Sequence, residues 1–95
     1  MTYFICKWRH AFEDEAVWFY GELDESRYEV RSVQVYRDGR KAFASALEEK
    51  GTGLCEKPLP SISQINSDPE FEAVEISQQE FERAWERRRI DGGGE

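Results

Sequence analysis

Residues 27–44 read RYEVRSVQVYRDGRKAFA, and this stretch decides the fold. At its centre, Asp38-Gly39 tolerates the positive φ angles of a tight hairpin turn. A type I′ turn there predicts that residues 33–37 pair with residues 40–44, with Val35 opposite Ala42 and Gln34 opposite Phe43. Upstream, the strand expected over residues 27–37 changes phase. Tyr28 and Val30 share one parity, whereas Val33 and Val35 share the other. Side chains alternate across a strand, so a one-residue slip would send one of these pairs to the wrong face. A β-bulge or sharp bend near Arg31-Ser32 is therefore expected, because it returns the apolar side to the core.

The segments on either side extend the same sheet. Residues 16–23 are apolar on both faces (Val17, Trp18, Phe19, Tyr20), which predicts a central strand. Residues 3–10 alternate, with Phe4, Cys6 and Trp8 against Lys7 and Arg9, as a half-buried strand does. Residues 12–15 read as a loop and 24–26 as a turn. Beyond the hairpin, residues 46–60 contain Gly51-Thr52-Gly53 and Pro58-Leu59-Pro60 and are expected to form the longest irregular segment. Ser61-x-x-Gln64 is a capping box that opens a short helix ending near Asn66 or Ser67, and Asp68-Pro69 stops it. Residues 71–76 read as a fifth strand. Ser77-x-x-Glu80 is a second capping box, with Ile76 and Phe81 at hydrophobic-staple positions. The helix that follows carries Phe81, Ala84, Trp85 and Arg88 on one stripe, with Arg87, Arg88 and Arg89 complementing the dipole in its last turn.

Strands followed by helices indicate an α+β fold. The expected object is an antiparallel meander of four to five strands with a short helix, and a C-terminal helix packed on one face. It spans residues 1–90, and residues 91–95 form a flexible tail.

Composition narrows the classes of function. The 95 residues suffice for one core, and three Trp, six Phe and four Tyr supply much of it. A net charge of −7 argues against generic nucleic-acid binding and against an anionic membrane surface. It favours a basic partner, or simply keeps the chain soluble. No run of residues is long and apolar enough to span a bilayer, and Lys7, Arg9 and His10 interrupt any signal-like start. Two cysteines, Cys6 and Cys55, do not make a secreted disulfide framework. The expectation is a cytoplasmic protein with free thiols.

Several blocks together resemble one small bacterial domain family, catalogued only as a domain of unknown function. They are Trp8-x-His10, Glu22-Leu23-Asp24-x-x-Arg27-Tyr28-Glu29-Val30-Arg31, Asp38-Gly39, Pro60-Ser61, Ile65, Phe71 and Ile76-Ser77-x-x-Glu80-Phe81-x-x-x-Trp85. The resemblance covers nearly the whole chain and implies one bacterial domain, with no activity attached. Where the family usually has Gly this chain has Cys55, which speaks against a catalytic Cys55.

Candidate chemistry centres on the polar block Glu22, Asp24, Arg27, Glu29 and Arg31. These acids and arginines lie on consecutive strands joined by a short turn, so several can meet across the hairpin. One reading is a surface ion-pair ladder that contributes about 0–1 kcal/mol per pair. The other is a recognition face whose arginine forks hold a partner's carboxylates. Cys6 and His10 lie about 13 Å apart along an extended strand, too far for one zinc ion. Cys55 has no helix N-terminus to activate it, and His10 reads as a turn-stabilising donor. Gly51-Thr52-Gly53 lacks the lysine and helix of a phosphate loop. Trp8, Trp18 and Trp85 are expected mainly in the core, with one free to serve a binding patch.

The reading that follows is a small acidic cytoplasmic binding module without a cofactor or metal, of the immunity or inhibitor kind, that recognises a basic protein partner. Its contact residues are Trp8, His10, Glu22, Asp24, Arg27, Glu29 and Arg31. Two alternatives stand beside it: a structural subunit that pairs through a sheet edge, and a small hydrolase using His10 with a carboxylate or Cys55.

Overall fold

Alternating apolar residues build a six-stranded antiparallel sheet in the computed structural model, which describes residues 1–90. Strands β1 (Thr2–Trp8), β2 (Trp18–Leu23), β3 (Glu29–Val35), β4 (Lys41–Ala44) and β5 (Glu49–Lys50) form a meander. Helix α1 (Ile62–Asn66) leads into β6 (Phe71–Ile76), and helix α2 (Gln78–Glu86) follows. The spatial order is β5-β4-β3-β2-β1-β6, so β6 joins the main sheet on the free side of β1 and β2 is central. The fold is α+β as the sequence predicts, with one strand more than the upper expectation. The extra strand is β5, two exposed polar residues that carry no alternating pattern. It forms because Ser45 Oγ accepts the backbone N–H groups of Leu47 and Glu48 and reverses the chain, setting Glu49 opposite Ala44. The expected tail at residues 91–95 lies outside the described residues.

The β3–β4 hairpin corrects the expected register. Val35 pairs with Lys41 and Gln34 with Ala42, one residue away from the two-residue turn. The loop is Arg37-Asp38-Gly39, closed by Gly39 N–H to Tyr36 O at 2.9 Å and Tyr36 N–H to Arg40 O at 2.8 Å. Only Gly39 takes positive φ, at 94°, so the connection is a three-residue loop with glycine in the left-handed position. The shift matters because it sets Phe43 beside Val33 instead of Gln34, and both apolar side chains are fully buried. Burial of two such groups contributes about 1.5–3 kcal/mol each, which decides the register over turn preference alone.

The bulge lies within a residue of its expected place. Glu22 pairs with Arg31, whereas Leu23 pairs with Glu29, so Val30 is the extra residue. Strict alternation back from Arg31 would put Glu29 on the same face as Arg31. The inserted residue reverses this: Val30 lines a groove with Arg31 and Trp85, and Glu29 turns to the opposite side.

Two helices cover the two faces. On one, Phe4, Cys6, Leu23 and Ala73 form a cluster under Phe19, Leu59, Ile62, Ile65 and Phe71. Here Gly21 has no Cβ, and the Phe4 ring occupies the space, 2.3 Å from where a Cβ would sit. On the other, α2 buries Phe81 against Tyr3 (ring centroids 5.5 Å apart) and Trp85 against Phe43 (6.0 Å). Both capping boxes form as read: Ser61 with Gln64 opens α1, and Ser77 with Glu80 opens α2.

The outer edge of β6 is partly closed. Asn66 donates to Ala73 O at 2.8 Å and accepts from Ala73 N–H at 2.6 Å, taking the place of a neighbouring strand. Phe71 N–H is likewise held by Asp68 O. An edge so occupied offers little ladder to a second chain.

Candidate functional site

The chain between β5 and β6 arches over the α1 side of the sheet and leaves a cleft of about 410 Å³. Phe4, Cys6, Phe19 and Phe71 from β1, β2 and β6 form its floor, and Leu59, Pro60, Gln64 and Ile65 form its wall. Glu29 and Asp68 are its two carboxylates. This volume falls at the lower end of the roughly 300–1,000 Å³ typical of ligand sites, and the largely apolar lining is equally typical.

Arg27 holds the wall in place. Its Nε donates to Leu59 O at 2.9 Å and its Nη2 to Pro60 O at 2.6 Å, while Arg27 O accepts from Leu59 N–H at 2.9 Å. To do this Arg27 sits at φ 68°, the left-handed position that Gly39 fills in the β3–β4 loop. A non-glycine residue there costs about 1–2 kcal/mol, and three hydrogen bonds to the arch offset it. Asp24 completes the turn, with Oδ1 accepting the N–H groups of Ser26 and Tyr28, both at 2.9 Å. Asp24 and Arg27 therefore build the site's frame.

Glu29 stands inside that frame. Its Oε1 accepts the Cys55 N–H at 2.9 Å. No lysine or arginine pairs with it among the described residues. Burial pushes its carboxyl above the usual carboxylate range, and the Cys55 N–H offsets this in part.

Glu22 and Arg31 lie on the other face, beneath α2. Buried Glu22 accepts from Tyr3 Oη at 3.0 Å and from Arg31 Nε at 2.5 Å. Arg31 also reaches Glu82 at 2.6 Å, and its guanidinium packs on the rings of Phe81 and Trp85, with centroids at 5.0 and 5.1 Å. This is an internal network, and it holds the Glu82 carboxyl below the ordinary range. The sequence-read block is thus divided by the sheet: Glu22 and Arg31 on one side, Glu29 on the other, and Asp24 and Arg27 at the turn.

Trp8 and His10 sit at the opposite end of β1. Trp8 packs against Phe71 and Phe19, with ring centroids at 6.0 and 6.4 Å, and extends the cleft's aromatic floor toward exposed Phe12. The His10 ring lies 4.0 Å from Trp8. His10 Nδ1 accepts the Phe12 N–H at 2.9 Å, so the proton belongs on Nε2, which donates to Ala16 O at 2.8 Å. Both ring nitrogens are engaged with backbone. Cys6 is buried and its thiol is pushed up by that burial, while Cys55 is exposed. Among the described residues no group of three metal-ligating side chains converges.

Sequence reasoning missed most of the cleft. Phe4 and Phe19 read as core, Asp68 as a helix stop, and Leu59 and Pro60 as loop. The signal was present in Leu59, an apolar residue held between Pro58 and Pro60, which needed a surface to cover.

Fold and site together define a small open-sheet α+β domain with an arch-covered cleft. The chain belongs to the family described as Domain of unknown function (DUF6881), whose pattern matches residues 2–90. Neither the curated proteins nor the solved structures yield a match. No helix among the described residues is long and apolar enough to cross a membrane.

Proposed function

We propose that this protein is a binding module that recognises a basic protein partner through the α1 side of its sheet. The observation that carries the reading is Glu29, a carboxylate in an apolar cleft with no cation beside it among the described residues. A half-buried charge without a counter-ion is unfavourable for the isolated fold, which fits a group kept for a ligand. The net charge of −7 adds long-range attraction that speeds encounter with a basic surface. On this reading Trp8, Asp24, Arg27 and Glu29 serve the contact face, Glu22 and Arg31 support it from beneath, and His10 shapes its margin. This reading makes it an immunity- or inhibitor-type protein of the bacterial cytoplasm, and the free thiols of Cys6 and Cys55 support a reducing compartment. The homo-oligomeric subunit ranks below because Asn66 occupies the β6 edge. The hydrolase ranks lower still because His10 is engaged on both nitrogens.

The test is affinity capture from native bacterial extract with tagged protein, washed at low and at high salt. A basic protein retained at low salt and released at high salt is the expected result. No specific protein at either salt would remove the reading.

A further inference from the structure

The geometry points to an arginine side chain of the partner as the occupant of the cleft, its guanidinium between Glu29 and the aromatic floor. This deepens the proposed function and rests on it. The protein itself shows what such a seat looks like. On the α2 side, the Arg31 guanidinium is gripped by the carboxylates of Glu22 and Glu82 while its flat face packs on Phe81 and Trp85. The α1 side holds similar components without the arginine: the Glu29 carboxylate, and Phe4, Phe19 and Phe71 as aromatic faces.

Two features make this seat more than an apolar hollow. The Val30 bulge turns Glu29 out of the face it would otherwise share with Arg31 and into the cleft. Among the described residues only Oε1 of Glu29 has a partner, the Cys55 N–H, which leaves Oε2 open to a donor. Guanidinium suits these groups better than ammonium. It is planar, stacks on aromatic faces, is weakly hydrated, and presents paired N–H groups to a carboxylate. The remaining volume, beyond one arginine side chain, is lined by Leu59 and Ile65 and suits an apolar neighbour of that arginine.

The probe is the blocked tripeptide acetyl-Leu-Arg-Leu-amide, titrated into 15N-labelled full-length protein. Its control is the same peptide with citrulline, which keeps the shape and removes the charge. Saturable shifts at the Cys55, Leu59 and Ile65 amides are expected, with the citrulline peptide at least about tenfold weaker. Glu29→Gln, which keeps an acceptor for the Cys55 N–H, should erase the difference between the two peptides. Equal binding of both peptides, shifts confined to other residues, or no saturation at millimolar peptide would overturn the inference. Its fate is separable from that of the partner reading. A partner captured equally by Glu29→Gln would leave a binding module without an arginine seat. Peptide binding with no captured protein would leave the seat and sink the protein partner.

Discussion

Replacement of Arg31 by methionine should be the most damaging polar substitution in the domain. The Arg31 side chain is 20% exposed and that of its partner Glu22 is 7% exposed, so the pair lies almost wholly inside. Methionine keeps apolar contact with Phe81 and Trp85 but leaves Glu22, among the described residues, with Tyr3 Oη alone as a side-chain partner. Breaking a buried pair by removing one member costs about 3–5 kcal/mol. The Glu82 arm, 35% exposed on its own side, adds little because water screens it, so the lower figure of about 3 kcal/mol is expected. A domain of this size has only about 5–14 kcal/mol of stability, and each kcal/mol moves Tm by about 4–8 °C. Thermal unfolding followed by circular dichroism should therefore show a Tm lower by roughly 12–24 °C. The double variant Glu22→Leu/Arg31→Met should recover at least half of the loss, since it removes the stranded charge. There is also a pH signature. Arg31 holds the Glu82 carboxyl low, so that pair adds stability above the ordinary carboxylate pKa and loses it as pH falls through the lowered one. Arg31→Met should flatten this acid limb. A single-variant loss below about 1 kcal/mol would place the network among ordinary surface pairs and refute the burial argument.

Two further predictions probe the frame of the cleft. Arg27→Ala should be less stable than Arg27→Gly by about 1 kcal/mol, because both lose the side-chain hydrogen bonds to Leu59 O and Pro60 O but only glycine accepts φ 68° freely. Denaturant titration that ranked alanine above glycine would show that the turn relaxes out of the left-handed region. Gly21→Ala should cost about 1–3 kcal/mol, since the new methyl would displace the Phe4 ring, 2.3 Å from the Cβ position. A neutral result in the same titration would mean that the floor of the cleft is loosely packed.

The elements were legible in the sequence wherever local chemistry and apolar period agreed. Both helices begin at the Ser residues of their capping boxes, and β6 spans the residues its pattern marks. The bulge was legible because Tyr28 and Val30 conflict in parity with Val33 and Val35. The hairpin register was not, since Asp-Gly fits two loop lengths and the choice falls to the burial of Phe43 beneath α2. The site was legible only as a list of charges. Nothing local says that Glu22 and Glu29, seven residues apart around a turn, end on opposite faces. That depends on a single inserted residue in β3 and on where α2 and the arch come to rest.

The central claim is that Glu29 is kept for a ligand and does not hold the fold together. Thermal unfolding of Glu29→Gln beside the wild type, from about pH 4 to pH 7, tests it most directly. Burial raises the Glu29 carboxyl, so its protonated form favours the folded chain below the ordinary carboxylate range, and that stability is lost as pH rises through the raised value. Asp68 and Cys6 are the other titratable groups in the cleft, and both remain in the variant. The account predicts that Glu29→Gln matches or exceeds the wild-type Tm at neutral pH, and that its advantage grows as pH rises across this range. A variant with a lower Tm at neutral pH would mark Glu29 as a structural acceptor for the arch and contradict the claim.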